Sequence, residues 1–238
     1  MMRKSLILLL IVTAGWLVAA QQGTPGIAGA WRETNAVGGP TTVLIASDGY
    51  LMQTDYRPNE FVSTRGGTMR QDGKLLNLLV EFDTKDSTRI GGTETYELAF
   101  SGNKMTLLGR GGRRTFERVD QPSTQTPLAG LWRITGRLGD DGQINAMQRG
   151  PRKTLKLLTG TRFQWAAINP QTKLFAGTGG GTYTLKDGKY TETIDFFSRD
   201  NSRVGKSLTF DAEIKGTDWF HRGQSSTGGK VSEVWSRE

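Results

Sequence analysis

The 238-residue chain has no cysteine and one histidine, and beyond residue 20 it has no apolar run long enough to cross a bilayer. The lack of cysteine excludes disulfides and thiolate metal ligands, so the folded part must be held together by its core. One imidazole, His221, is too few for an ordinary zinc site. No nucleotide, flavin or haem motif occurs either. We therefore expect neither a metal nor a cofactor.

The first twenty residues have the pattern of a secretory signal peptide. Arg3 and Lys4 precede an apolar run, Leu6–Ala20, that ends in small residues. A retained membrane anchor is the alternative, but a spanning helix needs roughly 20 apolar residues. This run is shorter and contains Gly15. We predict cleavage after the run, which leaves Gln21 first and an exported protein, periplasmic or secreted, without a membrane span.

The charge balance is mildly basic. Lysine and arginine exceed aspartate and glutamate by 8, and removal of Arg3 and Lys4 reduces this excess of 8 to 6. Basic side chains are scattered through strands and turns, which does not favour a nucleic-acid partner. An anionic ligand or an acidic envelope surface suits this charge.

An internal repeat organises the rest of the chain. Residues 27–31 read Ile-Ala-Gly-Ala-Trp, and residues 128–132 read Leu-Ala-Gly-Leu-Trp. Further matches follow in the same order, including Ser87–Gly91 against Ser202–Gly205 with one deletion. We divide the chain into a signal peptide at 1–20, a first repeat at 27–119, a polar linker at 120–127 and a second repeat at 128–238.

Both copies have the pattern of antiparallel β-strands. In the second copy, Leu208, Phe210, Ala212 and Ile214 alternate with polar residues, as in a strand with one buried face. Short runs of this kind are separated by Asp-Gly and similar turns. About eight runs occur in each copy, so we predict an all-β protein of two tandem eight-stranded antiparallel barrels.

The Gly-X-Trp segments at Gly29–Trp31 and Gly130–Trp132 resemble the start of the first strand in lipocalins and related barrels. In that family a late arginine lies across the tryptophan and closes the barrel floor, where a guanidinium over an indole is favourable. The resemblance assigns structural roles to Trp31, Arg118, Trp132 and Arg237.

The second copy is also similar to an uncharacterised family of bacterial "membrane or secreted" proteins with a lipocalin-like barrel. The similarity lies in four segments, at 179–184, 189–193, 204–206 and 232–237. It implies fold and export but no reaction. The first copy departs from this pattern, since Asn77 replaces Glu192 and Phe116 replaces Trp235.

The candidate site lies in the second copy. If residues 218–222 form a strand, His221 and Trp219 share a face, and Glu192 shares one with Tyr190, Ile194 and Phe196. A carboxylate on an apolar face must be paired or hydrogen-bonded. The candidate ligand-binding residues are Trp165, Tyr183, Tyr190, Glu192, Trp219 and His221.

Three functions fit these observations. The leading one is a non-catalytic binding protein for an amphipathic or anionic small molecule in the second barrel. A second is an enzyme that uses Glu192, His221 and Tyr183 as acid–base groups on a sugar or lipid-like substrate. A third is a structural or interaction module of the cell envelope. In that case the aromatic residues fill solid barrels and Glu192 is a satisfied structural group.

Overall fold

A computed structural model describes residues 26–34, 38–120 and 126–238. The predicted signal peptide and most of the predicted linker lie outside these ranges. Within them, no helix is long and apolar enough to cross a membrane. The described chain folds into two tandem antiparallel β-barrels, which confirms the predicted fold class.

The first barrel is closed by pairing of β1 with both β2 and β8. Its strands are β1 (Gly29–Glu33), β2 (Thr41–Ser47), β3 (Tyr50–Arg57), β4 (Glu60–Asp72), β5 (Leu75–Asp83), β6 (Thr93–Ser101), β7 (Lys104–Gly109) and β8 (Gly112–Arg118). A short 3-10 turn, Ser87–Arg89, connects β5 to β6. Among the described strands of this domain, closure leaves no unpaired sheet edge.

The second barrel repeats this plan with one added strand. Its strands are β9 (Gly130–Leu138), β10 (Ile144–Ala146), β11 (Lys153–Leu158), β12 (Arg162–Asn169), β13 (Leu174–Lys186), β14 (Lys189–Phe197), β15 (Ser207–Lys215), β16 (Asp218–Gln224) and β17 (Lys230–Arg237). Pairing of β9 with β11 and β17 closes eight strands, and β10 forms a hairpin with the far half of β9.

The strand registers correct two details of the predicted repeat alignment. The 3-10 turns after β5 and β14 are capped by Asp86 and Asp200, so these segments match without a deletion. Leu76 pairs with Tyr96, as Tyr190 pairs with Phe210. Two residues further along each strand, the equivalent of Glu192 is therefore Leu78 and not Asn77.

Each barrel has a floor built around its first-strand tryptophan. The Cζ atom of Arg118 lies 4.0 Å from the ring centre of Trp31, and Arg237 lies 4.0 Å from Trp132. Each indole Nε1 donates to a main-chain carbonyl four residues earlier in the chain. The lipocalin resemblance implied an arginine across the tryptophan of each floor; the structural roles of these residues and membership of that family stay predictions.

The two barrels pack side by side through a shared apolar core. It contains Ala30, Val43, Ile45, Tyr50, Met52 and Phe82 from the first barrel, and Leu131, Leu155, Leu157, Ala166 and Ile168 from the second. Buried Gln164 crosses this interface. It donates to Thr64 Oγ1 at 2.9 Å and accepts from Thr54 Oγ1 at 3.0 Å. The outer faces of β2, β3, β11 and β12 are therefore as buried as the barrel interiors.

Candidate functional site

The second barrel encloses a cavity of about 820 Å³ that opens at the end opposite the Trp132 floor. Its walls are mainly apolar and aromatic and include Phe163, Trp165, Ile194, Leu208 and Phe210. Four ionisable side chains face one another at its inner end: Lys156, Glu192, His221 and Glu233. An apolar pocket with a few convergent polar groups is the usual form of a small-molecule site.

A buried ion pair forms one half of this inner end. Lys156 Nζ lies 3.2 Å from Glu192 Oε2, and the two side chains are 4% and 10% exposed. Tyr190 donates its hydroxyl to the same Oε2 atom at 3.1 Å. The ammonium group also lies 4.9 Å from the ring centre of Tyr190 and 5.2 Å from that of Trp219. The aromatic rings partly replace the water that a buried ammonium group loses.

A histidine–carboxylate pair forms the other half. His221 Nδ1 lies 3.4 Å from Glu233 Oε2, which also accepts from Trp235 Nε1 at 3.1 Å. Burial lowers the pKa of His221 below its ordinary value of 6.5, and the nearby charge of Lys156 lowers it further. The imidazole is therefore neutral at neutral pH, and Nδ1–H donates to the carboxylate.

Two buried nitrogen atoms of this cluster have no partner in the described part of the chain. They are Nε2 of His221 and Nε1 of Trp219, on the same face of β16. A neutral imidazole that donates through Nδ1 has an acceptor at Nε2. An unsatisfied buried polar group costs about 1–3 kcal/mol. The cluster therefore contains polar atoms that the described protein itself does not satisfy, and a bound molecule could hydrogen-bond to them.

The first barrel has leucine at three of the four equivalent positions. Leu44 pairs with Trp31 as Lys156 pairs with Trp132. Leu78 corresponds to Glu192, and Leu107, which pairs with Leu98, corresponds to His221, which pairs with Ala212. The fourth position, that of Glu233, is Arg114. A barrel of this frame therefore closes without the buried charges.

The open ends of the two barrels also differ. In the first barrel Arg65 forms ion pairs with Asp83 and Glu94, and Arg65 and Asp83 line a smaller cavity of about 360 Å³. By register, the equivalents in the second barrel are Gly179, Phe197 and Leu208. A Cβ atom on Gly179 would lie 2.8 Å from Trp165 Nε1. Glycine at this position leaves room for the indole at the cavity mouth.

Arginines surround the mouth of the second barrel. Arg137, Arg149, Arg152 and Arg199 line the cavity there. Arg149 is paired with Glu238, whereas the other three have no ion pair with a described carboxylate. Arg199 lies 5.6 Å from the ring centre of Trp165. Guanidinium groups in this setting attract and bind carboxylate or phosphate oxygens.

Three of the six predicted site residues form part of the cavity wall, and two more contact them from below. Trp165, Glu192 and His221 line the cavity. Tyr190 and Trp219 lie beneath it and are 0% exposed. Tyr183 hydrogen-bonds in the floor, to Thr126 and to the Thr159 carbonyl, where burial raises its pKa to about 12.

Phe196 does not share a face with Glu192. A bulge between Gly180 and Gly181 shifts the register of β14. The Phe196 ring therefore lies outside the barrel, 5.4 Å from Tyr56 of the first barrel.

Sequence analysis missed Lys156 and Glu233. Both lie on strands whose side chains alternate between inward and outward, and both point inward. For Lys156, the sequence signal was a basic residue within the otherwise apolar run Leu155–Leu158. The direct partner of His221 is Glu233, and that of Glu192 is Lys156. Among the described residues, no group of three or more histidine or carboxylate side chains is placed to hold a metal ion.

Comparisons with known proteins identify no family. No family model matches the chain, and no curated protein matches it. Among solved structures, it is similar to the Cpx pathway activator NlpE from Escherichia coli, at 14% sequence identity and a TM-score of 0.23. The match covers 87% of this chain and 91% of that chain. Because this score is low, the fold rests on the strand pairing described above.

Proposed function

We propose that the chain is an exported, non-catalytic binding protein whose second barrel holds one small amphipathic molecule with an anionic group. The observation that carries the proposal is the difference between the two copies. The same frame has leucine at three positions of one barrel and lysine, glutamate and histidine in the other. Burial of charged groups in a barrel interior costs desolvation free energy. We infer that they are kept here because they bind a ligand.

The cavity supports binding of one molecule. Its volume of about 820 Å³ lies in the range of small-ligand pockets. Trp165, Phe197 and Leu208 offer apolar contacts near the mouth, and the mouth arginines offer contacts to an anion. The first barrel, crossed by the Arg65 ion pairs, is the scaffold against which the second is packed.

Fluorescence titration with 1-anilinonaphthalene-8-sulfonate, an apolar anion, tests the proposal. We expect saturable binding of one molecule per chain, weakened at least tenfold by Arg152→Ala combined with Arg199→Ala. The matched control is Arg70→Ala, an exposed arginine on β4 outside the mouth, which should bind as the wild type does. Absence of saturable binding, or equal binding by the mouth variant, would overturn the proposal.

A second candidate is an enzyme, and the observation that favours it is the His221–Glu233 pair. A neutral imidazole held by a carboxylate can accept a proton from a substrate. Tyr183, the third group of the predicted acid–base set, is engaged in the floor. Turnover of a sugar ester or lipid ester that His221→Leu abolishes would favour the enzyme, whereas tight binding without turnover favours the binding protein.

A further inference from the structure

The inner end of the cavity carries more negative than positive charge. Glu192 and Glu233 are acidic, Lys156 is the one lysine or arginine among the four ionisable residues there, and His221 is neutral at neutral pH. The mouth has the opposite sign, since arginines line it. A ligand that enters this cavity therefore meets positive charge first and negative charge last.

The two carboxylates have unused acceptor atoms. Every hydrogen bond of Glu192 and Glu233 within the described residues goes to Oε2. Their side chains keep 10% and 23% exposure while lining the cavity. Each Oε1 atom can accept from a ligand, and a carboxylate prefers a charged donor.

Nε2 of His221, which has no hydrogen-bond partner among the described residues, is a third acceptor beside the two Oε1 atoms. With Nδ1–H directed to Glu233, this atom accepts and does not donate. An anion at the inner end would meet acceptors and a negative charge, and its binding there would be unfavourable. A donor group at the same place would satisfy these acceptor atoms, although not Trp219 Nε1–H, which is itself a donor.

We infer that the ligand carries a protonated amine at one end, an apolar or aromatic body, and an anionic group at the other end. The amine binds Glu192 and Glu233 at the inner end, the body lies between Trp165 and Leu208, and the anion binds the mouth arginines. This inference rests on the proposed function and specifies the chemical class and orientation of the ligand. The orientation follows because the two ends of the cavity have opposite charge.

Calorimetric titration with three matched probes tests the inference. The probes are 4-phenylbutanoate, 4-(4-hydroxyphenyl)butanoate and 4-(4-aminomethylphenyl)butanoate, which differ in the group opposite the carboxylate. We expect the aminomethyl compound to bind at least about tenfold more tightly than the unsubstituted one, equivalent to about 1.4 kcal/mol. The hydroxyl compound should fall between them.

Variants assign the preference to the inner carboxylates. Glu233→Gln keeps the shape and removes one charge, so the preference for the amine should fall by about tenfold while 4-phenylbutanoate binds as before. Arg152→Ala should weaken all three probes alike. Circular dichroism of each variant verifies the fold.

The outcomes separate the two proposals. Equal binding of the three probes would overturn the inference and leave the proposed function standing. An amine preference that survives both Glu233→Gln and Glu192→Gln would also overturn it. If neither these probes nor the anilinonaphthalene sulfonate binds, the proposed function itself fails and the inference fails with it.

Discussion

Glu192 and Leu208 pair across β14 and β15 in the second barrel, and the equivalent pair in the first barrel is Leu78 and Glu94. The carboxylate is on the first strand of the pair, β14, in the second barrel and on the second strand, β6, in the first barrel. In the first barrel Glu94 joins the arginine network at the open end. In the second barrel Glu192 joins Lys156 at the inner end, and apolar Leu208 stands where the first barrel has Glu94.

The Lys156–Glu192 pair should show strong coupling in stability. Lys156→Leu alone leaves a buried carboxylate without its partner and should cost about 3–5 kcal/mol, as should Glu192→Leu alone. The double variant has leucine at both positions, as the first barrel has at Leu44 and Leu78. Its free energy of unfolding should lie close to that of the wild type. Urea unfolding of the four proteins gives the coupling energy.

An exposed pair is the control for that cycle. Lys189 and Asp211 have side chains 59% and 63% exposed, and alanine at either position should leave the unfolding midpoint unchanged. Additive losses in the Lys156–Glu192 cycle would contradict the buried pairing.

His221 should titrate below its ordinary pKa, because burial and Lys156 disfavour its charged form. It is the single histidine of the chain, so one imidazole signal in a proton NMR titration reports it. The groups around it are Lys156, Glu192, Glu233 and Tyr190. A midpoint at or above 6.5 would contradict the buried neutral state.

The same shift makes folding stability depend on pH. A lowered folded pKa means that the unfolded chain binds the proton more readily. The stability is therefore complete above pH 6.5 and is lost as pH falls from 6.5 toward the folded pKa, by up to about 1.4 kcal/mol per pH unit. His221→Leu should remove this part of the slope in urea unfolding between pH 7 and pH 5.

The two barrels should unfold in one transition. Their shared core and the bonds of Gln164 to Thr54 and Thr64 join them. Trp31 reports the first barrel, and Trp219 the second, in variants whose other tryptophans are phenylalanine. Their midpoints should coincide. Gln164→Leu should lower both by the same amount, through a loss of about 1–3 kcal/mol, and separate midpoints would show independent domains.

Replacement of Gly130 by alanine should destabilise the protein more than the same replacement of Gly216. Both have positive φ, which disfavours alanine at either place. A Cβ atom on Gly130 would also lie 1.8 Å from Arg237 Nη1, whereas one on Gly216 meets nothing within 4 Å. Gly130→Ala should therefore lose the Arg237 contact with Trp132 and unfold at lower temperature than Gly216→Ala. Equal melting temperatures would contradict the proposed packing of the floor.

Strand alternation, Gly-X-Trp and the repeated landmarks determined the two barrels and their floors, because a two-residue period and a glycine beside a tryptophan are local signals. The same signals located Trp165, Glu192 and His221. Only the tertiary structure assigned their partners, since Lys156 lies 36 residues from Glu192 and the pairing of Glu233 with His221 depends on the register of β16 and β17. A β-bulge decided the orientation of Phe196, because the register shift between Gly180 and Gly181 turns its side chain outward. Such shifts leave no reliable mark in sequence. The packing of one barrel on the other depends on outer faces that match only in three dimensions.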